Sequence, residues 1–505
     1  MNNMIKIVTK IGLAIFAMGI CNVSLAQSEK ELKKIAKAEE KRQSEIVNWY
    51  NGGGAGMNTE AAYKVVSKLK SKTVIVAVID SGIDIEHEDL EGKIWTNTDE
   101  IAGNGIDDDG NGYVDDVHGW NFLGNIDGEN ANDIRLEMTR IYASLKDKYE
   151  GDVTLTTDEE REEYALYVEV KEKVQSKREE AEQIVGYIES MMENADEDRK
   201  KQLEGALDYY SGQLNFYYNP EHNGRALIGD DPDDFSDVNY GNNDVEGPDA
   251  LHGTHVGGII GAARGNDIGY DGVANDVLLM SLRAAPYGDE FDKDIALAVR
   301  YAVDNGAQVI NMSFGKAYSP HAEEVYEAFK YADENGVLLV HAAGNDSKDI
   351  GEESNFPTPM YSYQTKKLDH WLEIGASTRY EKKGMLAAPF SNYSTTLVDV
   401  FAPGYEIMNT VPQSEYQELQ GTSMACPMVA GAAAFLKSYF PDMSMKKIKK
   451  VLLSTAKSYS GTMQEMPGGQ SRTFQADKVD FGKLSVTGAV IDLEAATEAC
   501  LEMQK

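Results

Sequence analysis

Four short stretches carry residue types that can do acid–base and acyl-transfer chemistry. Gly421-Thr422-Ser423-Met424-Ala425-Cys426-Pro427 places a serine ahead of an alanine- and glycine-rich run, Met428 to Phe435, of helical composition. A serine so placed sits at a helix N-terminus, where unpaired N–H groups and the helix dipole favour an oxyanion. Serine is a weak nucleophile until a base takes its proton, and the same position is also one that an ordinary capping serine prefers. A candidate base lies in His252-Gly253-Thr254-His255-Val256-Gly257-Gly258. Its histidines are three apart with no glutamate between, unlike the pair four apart that holds zinc on a helix. His252 is therefore read as a general base, and His255 as a packing or hydrogen-bonding residue. Val340-His341-Ala342-Ala343-Gly344-Asn345 sets an asparagine just past a strand, where its amide can donate to developing negative charge. Asp80-Ser81-Gly82 offers a carboxylate to orient the imidazole.

These residues need a scaffold that converges strand ends. Thr73 to Ile79 is a continuous β-branched run, as suits a strand buried on both faces of a parallel sheet. Asp80 lies at its carboxyl end, where sites in open α/β sheets are built. Val277–Leu282, Gln308–Met312, Val337–His341 and Trp371–Ala376 read as further strands. Ile295–Asn305 and Ala322–Asn335 read as helices that stop at Gly306 and Gly336. The expected fold is a three-layer α/β domain with a mostly parallel sheet. It is interrupted by a charged region, 129–225, in which Ile184, Ile188, Met191 and Leu203, Leu207, Tyr210, Leu214 recur at helical spacing. Two or three amphipathic helices, arranged as a hairpin, fit this insert. It is read either as a spacer or as a lid or partner-binding arm.

Taken together and in order, Asp80-Ser81-Gly82, His252-Gly253-Thr254-His255, Ala343-Gly344-Asn345 and Gly421-Thr422-Ser423-Met424-Ala425 resemble the subtilisin-like serine proteases, the subtilases. The resemblance covers roughly 57–128 and 226–495 and implies a serine endopeptidase acting on extended protein or peptide substrates. In it Ser423 is the nucleophile, His252 the base, Asp80 its orienter, and Asn345 with the Ser423 N–H the oxyanion hole. Ser313-Phe314-Gly315 is similar to the family's edge segment, which pairs with a substrate backbone. The gap of 172 residues between Asp80 and His252 exceeds that of a compact subtilase, and the insert accounts for most of it. Residues 27–72 are too short and too linker-like for the family's usual folding prodomain; within 27–56 an expected helix over 28–48, a candidate reduced pro-segment, is followed by a Gly-rich linker. Cys426, one helical turn past Ser423, reads as a small packing residue.

Calcium is the expected cofactor, at two places. In the loop Asp107 to Asp116, oxygen ligands alternate as in an EF-hand at Asp107, Asp109, Asn111, Tyr113 and Asp115, although His118 stands where the bidentate glutamate belongs. From the resemblance alone, Asp89 and Asn266, with the carbonyls of Ile268 and Tyr270, match a structural calcium position of many subtilases. Asp230, Asp231, Asp233 and Asp234 read as a solvated acidic loop.

The formal net charge of -36 argues against nucleic acid or an anionic membrane as partner. Lys6 and Lys10, the apolar run Ile11–Ile20 and Ser24-Leu25-Ala26 read as a secretory signal peptide over 1–26. It predicts export, to the outside or a periplasm, and no later run is long and apolar enough to span a membrane. Removal of Cys21 would leave Cys426 and Cys500, too few for a disulfide framework. The expected organisation is thus 1–26 signal, 27–56 helix and linker, 57–128 first catalytic part, 129–225 insert and 226–505 second catalytic part. Two other classes stay open at this point: an inactive subtilase-fold protein that binds through its insert, and a calcium-dependent adhesion protein.

Overall fold

The computed structural model describes residues 29–193, 195–361, 364–469 and 478–505. The expected signal peptide lies outside them. The chain divides into two compact units: Met1–Gln43 with Asp133–Arg225 and Tyr287–Asp289, and Ser44–Asn132 with Ala226–Pro286 and Glu290–Lys505.

In the second unit a ten-stranded sheet carries the residues singled out above. Its strands include β1 (Val74–Asp80), β2 (Gly119–Asn121), β3 (Val277–Arg283), β4 (Val309–Met312), β5 (Leu338–Ala342) and β6 (Trp371–Tyr380). With β7 (Met385–Ala387) antiparallel to β6, and β8 (Val400–Pro403) parallel to it, the spatial order runs 8-6-5-4-1-3-2. β1 lies between β3 and β4, both parallel to it. Its run of valines and isoleucines is buried almost throughout, as a strand covered on both faces requires.

Strand alternation sends successive side chains to opposite faces. Val74, Val76 and Val78 join a large core with Val256, Ile259 and Ile260 of α6 (Leu251–Gly261) and Met428, Val429 and Ala432 of α9 (Thr422–Tyr439). The buried residues of α7 (Asp292–Asp304), among them Ile295, Ala298 and Val299, lie outside that cluster, and α7 packs on α8 (Ala322–Glu334). The sheet is therefore the middle layer of three. Every expected strand appears, with ends shifted by a few residues at most. A hairpin of β9 (Ile407–Val411) and β10 (Glu415–Leu419) precedes the serine helix.

Among the described residues the first unit is mainly helical. Within the expected insert lie α3 (Glu137–Tyr149), the 35-residue α4 (Asp158–Met192) and α5 (Glu197–Gly212). Thr157 and Glu160 form a reciprocal capping box at the start of α4. Ile184 and Ile188 of α4 meet Leu203 and Ala206 of α5 in a small core, the seam that the helical spacing predicts. The rings of Tyr142, Tyr149, Tyr164 and Tyr167 cluster in tilted and edge-to-face contacts where α3 meets α4. The remaining helices are α1 (Glu29–Ile46), which spans most of the expected 28–48, then α2 (Thr59–Val65), α10 (Met445–Thr455) and α11 (Leu493–Met503). Among the described residues no helix is long and apolar enough to cross a membrane.

Candidate active site

Asp80 ends β1, Ser313 follows β4 by one residue and Asn345 follows β5 by three, so three parallel strands deliver them to one edge of the sheet. His252 is the second residue of α6. Gly253 lets that helix come close, since a Cβ there would sit 2.0 Å from the Gly82 carbonyl and 3.2 Å from the Asp80 Cβ. The contact explains why glycine follows the histidine.

Asp80 is 2% exposed. Its Oδ1 accepts the Ser81 N–H at 2.8 Å and stands 2.7 Å from His252 Nδ1. A carboxylate at that nitrogen requires Nδ1–H, which leaves Nε2 of the neutral ring as the acceptor. Burial disfavours charge on His252, but the Asp80 carboxylate, by charge and hydrogen bond, and Asp249 beyond it raise its pKa above the ordinary 6.5.

Ser423 is not a helix cap. The cap of α9 is Gly421, and Ser423 is the second helical residue. Its Oγ donates to the Ser313 carbonyl at 3.2 Å, and the Ser313 hydroxyl donates to the Ser423 carbonyl at 3.0 Å. Pro427 explains the second bond. It lies four residues on and has no N–H, so the Ser423 carbonyl lacks its helical partner. The proline in the motif thus opens a place for Ser313, and the pair of bonds fixes Ser423 against Ser313.

Asn345 is oriented by the start of the same helix. Its Oδ1 accepts the Thr422 N–H at 2.8 Å and the Thr422 hydroxyl at 3.1 Å. A backbone N–H can only donate, so the amide orientation is settled and the NH2 group is left to donate elsewhere. The Thr422 hydroxyl in turn accepts the Gly344 N–H at 3.1 Å.

His255 and Cys426 support this arrangement from below. His255 is buried, its Nε2 is 3.1 Å from both the Ile407 and Gln417 carbonyls, and burial pushes its pKa down to about 3. A neutral ring donating from Nε2 clamps the β9–β10 hairpin. The Cys426 thiol, buried against Asn311 Oδ1 and the Val340 carbonyl at 3.2 Å each, is pushed well above the ordinary thiol range by burial. It has no nucleophilic character there. Cys426 and Cys500 are both free and buried.

The acidic loops fold differently from their spacing. Asp107 accepts the N–H groups of Gly110, Asn111 and Gly112, and Asp115 those of Asn104 and Gly105. Asn111 Oδ1 accepts the Tyr113 N–H, and the Tyr113 ring packs on Trp120 and Tyr301. Of the five EF-hand positions only Asp109 enters a convergent set, with Glu100 and Asp116, whose carboxylate oxygens lie within 4.8 Å of one another. Glu100 is 9% exposed and its Oε2 is buried with no hydrogen-bond partner. Sequence reasoning missed Glu100 and Asp116 because they fall outside the alternating pattern.

At the other expected position Asp89 and Asn266 do meet. Asp89 Oδ1 accepts the Asn266 amide at 2.7 Å and Oδ2 accepts the Tyr270 N–H at 3.2 Å, while the Ile268 N–H donates to Asn266 Oδ1. Arg264 bonds Glu60 and the Gly272 carbonyl close by. The Asp230–Asp234 loop is not simply solvated. Lys293, with both side chains fully buried, pairs with Asp230 at 2.9 Å, and His321 meets Asp233 at 2.8 Å. A buried ammonium needs such a partner.

The model of the Subtilase family matches residues 71–474. A thermophilic serine proteinase from Bacillus sp. strain AK1 is 34% identical over 52% of this chain and 58% of its own length. Subtilisin DY from Bacillus licheniformis is 35% identical over 41% of this chain and 70% of its own. The match thus spans little more than half of the first relative. A solved protease structure from Pseudoalteromonas arctica aligns over 90% of this chain and 97% of its own, at 19% identity and a TM-score of 0.49. With the family model running from just before β1 to beyond the serine helix, and the aspartate, histidine, asparagine and serine set as described, this chain belongs to the subtilase family.

Proposed function

We propose that this chain is an exported serine endopeptidase that hydrolyses extended protein substrates. Ser423 attacks the scissile carbonyl after its hydroxyl leaves the Ser313 carbonyl and turns to His252 Nε2. His252 takes the proton and later returns it to the leaving amine. Asp80 holds Nδ1–H and stabilises the imidazolium. The Asn345 NH2 and the Ser423 N–H receive the oxyanion. Ser313-Phe314-Gly315 receives the substrate backbone as an added strand. One observation carries the reading: the Thr422 N–H occupies the Asn345 carbonyl, which commits the amide to donation beside the nucleophile.

Calcium is the proposed structural ion. Glu100, Asp109 and Asp116 form an all-oxygen donor set suited to a hard cation, and the unpartnered Glu100 Oε2 is the atom such an ion would satisfy. Calcium there would neutralise converging carboxylates and brace the loop. Export rests on the signal peptide expected over residues 1–26, and the helical insert is the segment proposed to meet protein partners.

Casein hydrolysis by the full chain tests the activity. The wild type is expected to release peptides and Ser423→Ala to release none. Equal hydrolysis by both would refute the assignment of the nucleophile.

A further inference from the structure

One of the buried titratable pairs that the mechanism does not use lies next to residues 313–315. His341 in β5 and Glu373 in β6 are 0% and 1% exposed. Their strands are neighbours and pair them directly in register. His341 Nδ1 stands 2.9 Å from Glu373 Oε1, and the other oxygen, Oε2, accepts the Trp371 indole N–H at 2.8 Å. The far nitrogen, Nε2, lies 2.8 Å from the Phe314 carbonyl.

Both ring nitrogens therefore face oxygen. A carbonyl can only accept, so Nε2 must carry a hydrogen, and a second proton lies between Nδ1 and the carboxylate. Glu373 fixes the ring, and the ring donates to Phe314. A polar pair this deep is a costly substitute for apolar packing, and among the described residues this bond is the one that leads from the pair to the edge segment.

Phe314 is the middle of Ser313-Phe314-Gly315. On one side of it Ser313 exchanges hydrogen bonds with Ser423. On the other, Lys316 pairs with Phe356 through both backbone bonds, at 2.8 and 2.9 Å. Phe356 in turn borders a pocket of about 330 Å³ that Glu373 also lines. The Cβ-free Gly315 passes within reach of the ring, where an added Cβ would be 3.7 Å from His341 Nε2.

We propose that His341, clamped by Glu373, is a positioning residue that holds the Phe314 carbonyl and so keeps the edge segment extended and in register for the substrate backbone. The same strand ends three residues before Asn345, so one imidazole couples the substrate strand to the oxyanion strand. The proposal rests on the reading of residues 313–315 as the substrate edge. It assigns His341 no contact with substrate and no part in proton transfer.

Two amides dissect the ring. In His341→Asn the amide nitrogen stands where Nδ1 stood, keeps Glu373 paired and cannot reach Phe314. In His341→Gln it stands where Nε2 stood and keeps the tie to Phe314. The assay compares kcat/KM for a series of p-nitroanilides extended from one residue to four on the acyl side, together with the rate of fluorophosphonate labelling of Ser423. The wild type is expected to gain with each added residue. His341→Asn is expected to lose about tenfold on the four-residue substrate, mostly in KM, the scale of one buried hydrogen bond to a charged group. Its one-residue substrate and labelling rate should stay near wild type, and His341→Gln should recover the gain with length. Should His341→Asn fail to fold, the paired change His341→Leu with Glu373→Leu removes the tie without leaving a buried charge and takes its place.

A merely structural role would lower the melting temperature and all substrates alike. An undiminished gain with length in His341→Asn, or in the paired variant, overturns the positioning role. A wild type indifferent to substrate length overturns the edge-segment reading beneath it.

Discussion

Replacing Asn345 by alanine removes two groups at once: the NH2 proposed to meet the oxyanion, and the Oδ1 that accepts the Thr422 N–H at 2.8 Å. Their effects separate by size and by assay. Loss of one oxyanion donor lowers kcat by about 100- to 1,000-fold, roughly 2.7–4 kcal/mol of transition-state stabilisation. Thr422 is 0% exposed, so its N–H would be left without water, a penalty of about 1–3 kcal/mol in stability. Asn345→Asp keeps an acceptor for Thr422, adds a negative charge that suits a helix N-terminus and removes the donor. Asn345→Ala should therefore lose both activity and melting temperature, and Asn345→Asp activity alone. Ester hydrolysis for kcat and KM, with thermal melts on the same samples, reads both. KM should change little in either variant. If Asn345→Asp kept more than about a tenth of wild-type kcat, well above the range for a lost donor, the oxyanion reasoning would be refuted.

Three further outcomes follow from the same geometry. The base must be neutral to accept a proton, and Asp80 raises the His252 pKa above 6.5, so the acid limb of kcat/KM should lie above 6.5. By the same sign, the pairing stabilises the fold fully below the unfolded histidine value and is lost as pH rises through the folded one; an acid limb below 6.5 would contradict it. Chelation with EDTA should lower the melting temperature and added calcium restore it, whereas Glu100→Gln with Asp116→Asn should melt at the same temperature with or without calcium. In the helical unit Ile188→Ala should cost about 2–5 kcal/mol by opening the small core it shares with Leu203, read as faster hydrogen exchange across 158–212.

The sheet and the convergence of the candidate residues at its edge were legible for the same reason. β1, β3, β4 and β5 are short apolar runs between glycines and polar turns, and Asp80 stands at a strand end, Asn345 just beyond one and Ser423 at a helix start. What could not be read depends on partners far apart in the chain. Lys293 and Asp230 are 63 positions apart, and nothing local marks either as buried. The spacing of Asp107 to Asp115 looks like a ligand ladder, yet a loop rich in glycine supplies enough backbone N–H groups to occupy those carboxylates first. Glu100 lies outside the ladder and becomes visible only once the loop closes on it. His341 did leave a trace, as one polar residue inside the apolar run Val337–Ala343, but its partner Glu373 is 32 residues away. The roles of Ser313 and Pro427 also needed three dimensions, since the missing N–H of Pro427 matters only when a hydroxyl stands opposite the carbonyl it frees.

The most direct test of the central claim is covalent. Full-length protein would be treated with a fluorophosphonate probe in calcium, digested and mapped by mass spectrometry, with Ser423→Ala alongside. The account predicts one labelled peptide, containing Ser423, absent from the variant, and labelled faster as pH rises and His252 becomes neutral. Label on another residue, or none on folded protein at any pH, would contradict it.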